Sequence, residues 1–190
     1  MVCKEGGKPM IDTNTFMTDL WTQFDNLFDD LQVLLADQEV PTEHLEADRV
    51  VYNMIVTPSN YPRQSIEQTD EVVASDDPSF EKDIIRTSVL YPDGTISITA
   101  FGDNAVNNLQ TIREWFNIPN RGDYYLSDNW NCSIRDITEI QNRTTYLETD
   151  YEKRFGFDVI LNFKDEVVDR LDTIEKVTGE FNGIPYEEDL

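Results

Sequence analysis

The chain has 190 residues, 39% of them hydrophobic, and carries 38 acidic against 15 basic residues for a net charge of −23. This length suits one domain with a real core, and the 21 aromatic residues argue against a disordered chain. The acidic excess argues against a simple nucleic-acid binder, because phosphates are held by lysine and arginine. Three explanations of the charge stay open: a channel through which DNA slides without sticking, an adaptation to high salt, or a surface that only confers solubility.

The first half of the chain is predicted to hold a loose leader over residues 1–12, a long helix and a strand. Asp12 or Thr13 can cap the helix, which is predicted to run to about Ala36 because apolar residues recur every three or four positions. Residues 49–56 are rich in β-branched side chains and predict a strand. Residues 63–79 are polar and acidic and predict a long excursion that can include a short strand around residues 72–73.

A β-hairpin is the clearest local prediction. Residues 84–91 and 95–101 show alternating β-forming residues, and Pro92-Asp93-Gly94 between them suits a type I turn with a left-handed glycine. Asp103 or Asn104 can cap a second helix, which Pro119 ends. The predicted buried stripe of that helix is Val106, Leu109, Ile112 and Phe116.

Strands dominate the predicted last third of the chain. Residues 120–129 are typical of a turn region, residues 130–140 and 154–163 predict strands, and 165–172 suit either a short helix or extended chain. Residues 173–181 predict a last strand. The predicted fold is α+β, with a mainly antiparallel sheet on which the long N-terminal helix and the second helix pack. The predicted organisation is one domain over residues 13–182 followed by an acidic tail at 183–190.

Motifs of catalysis and metal binding are largely missing from the sequence. His44 is the only histidine, and among acidic neighbours it is interpreted as an exposed residue rather than a catalytic base. No zinc, phosphate-loop or dinucleotide motif occurs. Adjacent acids such as Asp76 and Asp77 could gather a divalent cation, but no stretch fits a calcium loop, so a solvated acidic face is favoured. We predict no catalytic residue, no metal site and no cofactor.

Cysteine content and hydropathy indicate the cellular compartment of the protein. Cys3 and Cys132 are the only cysteines, which is too few for a disulfide framework. No segment approaches the ~18 apolar residues of a membrane span, and the first residues hold no apolar signal core. We expect the product to stay inside the cell that makes it, with no membrane partner.

Three short segments of the last third resemble the phage neck-terminator, or tail-completion, family. They are Arg135-Asp136-Ile137-Thr138, residues 151–159 (YEKRFGFDV) and residues 173–177 (TIEKV). The family pattern is a strand ending in such an Arg-Asp pair, an aromatic-acid-x-Arg link, an alternating aromatic and aliphatic strand, and a final Ile-Glu-x-Val. The resemblance covers residues 135–182 in motif and 13–182 in architecture, and leaves the acidic stretch at 63–83 and the tail unexplained.

The resemblance implies a virion structural protein of the neck or tail, without enzymatic activity, that is assembled in the host cytoplasm. It implies a ring, expected to be a hexamer, that joins the tail tube to head-completion or connector proteins and lets genomic DNA pass without specific binding. Arg154 matches the linking arginine, with an expected role in a structural or inter-subunit salt bridge. The acidic stretch supplies the candidates for a lumen or neighbour-contact loop: Asp70, Glu71, Asp76, Asp77, Glu81 and Asp83.

Two other functions stay open at the level of sequence. One is an acidic DNA mimic or protein-binding module that inhibits a nucleic-acid enzyme; such mimics usually spread carboxylates along helices, and the first helix is the only good candidate here. The other is a carboxylate-dependent metal enzyme, which would have to bind Mg²⁺, Mn²⁺ or Ca²⁺.

Overall fold

The computed structural model describes residues 11–36, 44–58, 67–76, 78, 80–147, 150–172, 176–181 and 184–189. The helices are α1 (Thr13–Asp25), α2 (Ala105–Asn117) and α3 (Tyr124–Trp130), and Pro119–Asp123 forms a π-helical turn. The strands are β1 (Gln32–Leu35), β2 (Arg49–Val56), β3 (Glu67–Ala74), β4 (Lys82–Leu90), β5 (Asp93–Phe101), β6 (Cys132–Ile137), β7 (Gln141–Asn142), β8 (Thr145–Leu147), β9 (Asp150–Glu152), β10 (Arg154–Phe163), β11 (Asp165–Asp172), β12 (Lys176–Phe181) and β13 (Ile184–Asp189).

The chain divides into two compact units. Residues 10–64 and 91–164 form the first, which we call the core unit, and residues 1–9, 65–90 and 165–190 form the second, which we call the sheet unit. The predictions of a leader over residues 1–12 and of a single domain over 13–182 stay predictions.

The core unit is built on a six-stranded sheet with the order β1-β2-β5-β10-β6, and β7 pairs with β10 as well. Strands β1 and β2 are parallel, and the other pairs are antiparallel. Alternate residues of the central strands are buried; Ile98 on β5 stands opposite Phe157 on β10, and both are fully buried. Strands β8 and β9 form a separate two-stranded ladder.

One face of this sheet is covered by the helices. Phe16 of α1 meets Phe163 edge to face, with ring centroids 5.3 Å apart, and Phe24 meets Tyr52 at the same distance. The Tyr52 hydroxyl donates to the Met17 carbonyl at 2.7 Å, which satisfies its polar tip inside the core. Asp12 caps α1 by accepting from the backbone amides of residues 14 and 15, as the sequence predicts.

The sheet unit has a different construction. Strands β11-β4-β3 form a three-stranded antiparallel sheet, and β12 pairs with β13. No described apolar side chain of this unit is buried, and Val72 and Val168 are 63% and 46% exposed. The one buried side chain among those described in this unit is a carboxylate, Asp83, at 3% exposure.

The α+β class with mainly antiparallel sheets is confirmed, but the length of the N-terminal helix is not. Helix α1 ends at Asp25 instead of about Ala36, and residues 32–35 of the predicted helix form β1. These residues pair in parallel with β2, a long-range interaction that the local spacing of leucines cannot report. Leu27, Leu31 and Leu35 still pack against the core, so the pattern predicted burial correctly and conformation wrongly.

The hairpin prediction is wrong, although both of its strands exist. Strand β4 pairs with β3 and β11, whereas β5 pairs with β2 and β10 in a different sheet. Gly94 does not have a positive φ and lies within β5. A Cβ there would lie 2.9 Å from Phe163 Cε2 and 3.2 Å from Pro58 Cγ, so this glycine provides space rather than a turn.

Three smaller corrections concern the second half. Val106 of the predicted buried stripe is 36% exposed, and Trp115 is buried in addition to Leu109, Ile112 and Phe116. The predicted turn region contains helix α3, which ends where Asn131 adopts a left-handed φ of 47°. Residues 165–172 are extended as β11, which is one of the two predicted alternatives, and residues 184–189 form strand β13.

Candidate functional site

The acidic stretch predicted as a loop contains strand β3, and its first candidate residue, Asp70, is paired within the sheet. Arg86 of β4 stands opposite Asp70 and donates from Nε and Nη2 to its two oxygens, each at 2.8 Å. This hydrogen bonding lowers the pKa of Asp70. Asp169 of β11 stands opposite Arg86 on its other side and adds a second negative charge to the row.

A second arginine gathers two more of the candidates. Arg170 of β11 donates from Nε to Asp83 Oδ2 at 2.5 Å and from Nη1 to Asp76, and its Nη2 donates to the Ala74 carbonyl at 2.9 Å. The pKa of Asp83 is lowered, first by a hydrogen bond from the Ser75 hydroxyl and then by Arg170. The Arg170 cluster therefore holds the end of β3 against the start of β4.

Two of the remaining candidates are exposed. Glu71 is exposed on β3, on the same face as Glu67 and on the face opposite Asp70. Glu81 is exposed immediately before β4. Asp77 lies outside the described residues. Within the described part of the sheet unit, neither Glu67 nor Glu71 has a cationic nitrogen within 4.0 Å.

Arginines also collect on the face of the six-stranded sheet turned away from the helices. Arg49 of β2 lies over the Phe101 ring, 4.1 Å from its centroid, and pairs with Glu152 at 2.9 Å. Arg143 lies across β10 and β5, donating to Asp158 Oδ1 at 2.9 Å and to the Ser97 hydroxyl at 2.8 Å. Both arginines thus have a carboxylate of their own chain.

Arg154, the predicted bridging residue, differs from these two. It stands opposite Phe101 in the register, in one row with Arg49, and is half-buried. Its Nε donates to the Arg143 carbonyl at 2.5 Å and its Nη2 to the Thr145 hydroxyl. No carboxylate oxygen of the described residues lies within 4.0 Å of it, so its salt-bridge role stays a prediction.

Two of the surface pockets lie among the described residues of the core unit. The first, of about 230 Å³, is lined by Tyr91, Ser127, Asn131, Cys132, Ser133, Asn162 and Lys164. Burial raises the pKa of the Cys132 thiol, so a thiolate nucleophile is disfavoured there. The second, of about 360 Å³, is lined by Thr18, Trp21, Val33, Leu34, Leu35 and Tyr52, without a charged side chain.

Other observations bear on the catalytic and metal predictions. Among the residues that the structure describes, no group of three or more His, Cys, Asp or Glu is arranged to hold a metal ion. His44 is exposed, and its carbonyl accepts from Gln32 Nε2 at 2.9 Å. A search of the described ranges for a helix long and apolar enough to cross a bilayer finds none.

Sequence reasoning missed the partners of the acidic residues. Arg86 and Arg170 neutralise Asp70, Asp76 and Asp83, and a cross-strand Asp–Arg pair has no sequence signal until the strands are paired correctly. The prediction of an excursion over residues 63–79, with a short strand around residues 72–73 as an option, gave no register for β3. Basic residues are scarce in the sequence, so an arginine that stands opposite an acidic residue is informative.

The short motifs of the last third occupy a defined place in this architecture. The Arg-Asp pair lies on β6, and the alternating aromatic strand is β10, which joins β6 to β5 at the centre of the sheet. A family model described as phage neck terminator protein matches residues 18–188. The chain belongs to the phage neck terminator family. The resemblance predicted from residues 135–182 is therefore confirmed.

Membership of the neck terminator family carries a coarse functional assignment. The family is one of virion structural proteins of bacteriophages and is not a known enzyme family. It places the chain in the virion neck or tail, in contact with other head or tail proteins. No curated protein matches the chain significantly.

Proposed function

We propose that this neck terminator forms a homo-oligomeric ring, with six subunits the expected number. The ring closes the end of the tail tube and joins it to head-completion proteins after assembly in the host cytoplasm. Genomic DNA passes through its lumen without specific binding. The ring has no enzymatic activity.

The construction of the sheet unit is the observation that carries this proposal. Three strands whose described apolar side chains are all at least partly exposed bury too little surface to be stable without a covering surface. Subunit interfaces supply such a surface, and a subunit of a ring presents it on every copy. The half-buried apolar residues that association would cover are Ile84, Ile85, Val89, Leu90, Val167 and Leu171.

The charge supports free passage of DNA. A net charge of −23 on each subunit gives a ring a strongly negative field, which repels the phosphates of a passing duplex. Because Asp70, Asp76 and Asp83 are held by arginines, the charge available to a lumen comes from other acids of the surface.

The function can be tested with purified chain and purified tail tube protein. Native mass spectrometry and negative-stain microscopy should show a closed ring, and adding that ring to growing tubes should stop their elongation. A strictly monomeric chain that leaves tube growth unchanged would reject the proposal. Duplex DNA added at physiological salt should not shift the mass of the ring.

The DNA-mimic alternative gains no support from the helices. Helix α1 ends at Asp25, so Asp19 and Asp25 are the only carboxylates it carries. Among the described residues, 17 acidic residues lie on strands and four on α-helices, and several of those on strands are paired with arginine. The mimic hypothesis expects them along one helix.

A further inference from the structure

We propose that Glu67 and Glu71 of β3 bind Arg154 of a second copy of this chain, so that the sheet unit of one subunit docks on the core unit of the next. This contact rests on the proposed ring and specifies which two surfaces form it. The occupant of the β3 surface is a copy of this chain.

The two carboxylates belong to a sheet with a large surplus of negative charge. The described residues of β3, β4 and β11, with the link between β3 and β4, include ten acidic and three basic side chains. Two of those bases, Arg86 and Arg170, are already bound to Asp70, Asp76 and Asp83. Docking on a cationic surface therefore relieves repulsion within this sheet.

Glu67 and Glu71 lie where a partner can reach them. Strand β3 is at the edge of its sheet in the order β11-β4-β3, and both side chains are exposed. They share one face because they are four residues apart on a strand. Their Cα atoms are about 13 Å apart. On that face they stand opposite Val89 and Ile85, which are half-buried and would be covered by a docked subunit.

Arg154 offers a matching cation. Hydrogen bonds to the Arg143 carbonyl and the Thr145 hydroxyl fix its guanidinium through Nε and Nη2. None of the described hydrogen bonds uses Nη1, whose N–H groups can donate to a carboxylate. A guanidinium held in place before binding loses little side-chain entropy when the carboxylate arrives.

The charge around Arg154 favours an acidic partner. Arg49 and Arg154 flank Phe101 in one row of the sheet, and Glu152 neutralises only Arg49. The two proposed surfaces are different parts of the chain, so the contact is heterologous, and a heterologous contact generates a ring when its rotation closes. Strand β3 of one copy, with its exposed glutamates, thus contacts Arg154 of the next copy.

Charge reversal on either side tests the contact. The variants are Arg154→Glu and the double variant Glu67→Lys with Glu71→Lys, with the oligomer measured by sedimentation and native mass spectrometry. Each reversal alone should raise the subunit dissociation constant by about tenfold or more. An equimolar mixture of the two reversed chains should assemble again, because each mutant surface then faces an opposite charge in an alternating ring.

Matched controls separate this contact from general charge effects. Arg121→Glu matches the charge change of Arg154→Glu, and the double variant Asp25→Lys with Asp128→Lys matches that of the two glutamates. All three control residues are exposed in the core unit, and these variants should leave assembly unchanged. Circular dichroism verifies folding of every variant. If the parent chain forms rings that neither reversal weakens, or if the mixture fails to reassemble, the contact is wrong while the ring stands. A monomeric parent chain would reject both the ring and the contact.

Discussion

The core unit and the sheet unit solve the problem of burying a β-sheet in different ways. In the core unit, helices cover one sheet face and side chains such as Phe16 and Phe157 are fully buried. In the sheet unit, the buried described side chain is Asp83, and cohesion comes from backbone pairing and two arginine clusters. This difference supports the proposal that the core unit is stable by itself, whereas the sheet unit gains stability from a neighbouring subunit.

The largest expected effect is the difference in lost stability between alanine substitutions of two isoleucines on different sheets. Ile98 is fully buried in the core unit, and Ile98→Ala should lower the free energy of unfolding by about 2–4 kcal/mol. Ile85 of β4 is only half-buried and shares the proposed docking face with Glu67 and Glu71. Ile85→Ala should cost under about 1 kcal/mol in the isolated chain while weakening assembly. Denaturant unfolding and native mass spectrometry measure the two effects. Equal losses of stability in the two variants would contradict the difference between the core unit and the sheet unit.

A glycine of the core unit gives the next effect. A Cβ at Gly156 would lie 2.7 Å from the Ile98 carbonyl and 2.8 Å from Arg143 Nη1. Gly156→Ala should therefore displace Arg143 from Asp158 and destabilise the core unit by about 1–3 kcal/mol. Thermal unfolding measures it, and Arg143→Gln in the same background shows how much of the loss comes from the displaced guanidinium. An unchanged melting temperature would contradict the tight fit.

The smallest effect is the response to acid. The pKa of Asp70 lies below its ordinary value of 3.8, first because Arg86 donates hydrogen bonds to it. A lowered folded-state pKa gives stability that is complete above pH 3.8 and is lost as pH falls through the folded-state value. The sheet unit should therefore loosen below pH 3.8 before the core unit does, as amide NMR signals can show. Asp70→Asn should make that loss less steep, and simultaneous opening of both units would contradict the account.

Local patterns predicted the strands that lie in the core unit. Strands β2 and β10 have the predicted bounds, because their alternation follows directly from having one buried face. The end of α1 could not be predicted from the sequence. The leucines after Asp25 pack against the core as a helical stripe would, but they lie in a turn and in strand β1, which pairs with β2. Helix α3 was hidden because residues 120–123 have the composition of a turn.

The sheet unit was harder to predict for a physical reason. Its strands bury no face completely, so their side chains alternate weakly, and β3 reads as a polar excursion. The proline and glycine at 92 and 94 suggested a hairpin, yet the two strands they separate belong to different sheets. The candidate residues were named from charge alone, and only the register showed that Asp70 is bound while Glu71 is exposed.

Hydrogen–deuterium exchange on the free chain and on the assembled ring tests the central claim most directly. The account predicts that amides of β3, β4 and β11 exchange rapidly in the free chain and become strongly protected in the ring, while β5 and β10 are protected in both. Equal protection of the sheet unit in the two states would contradict the claim that it gains its stability from a neighbouring subunit.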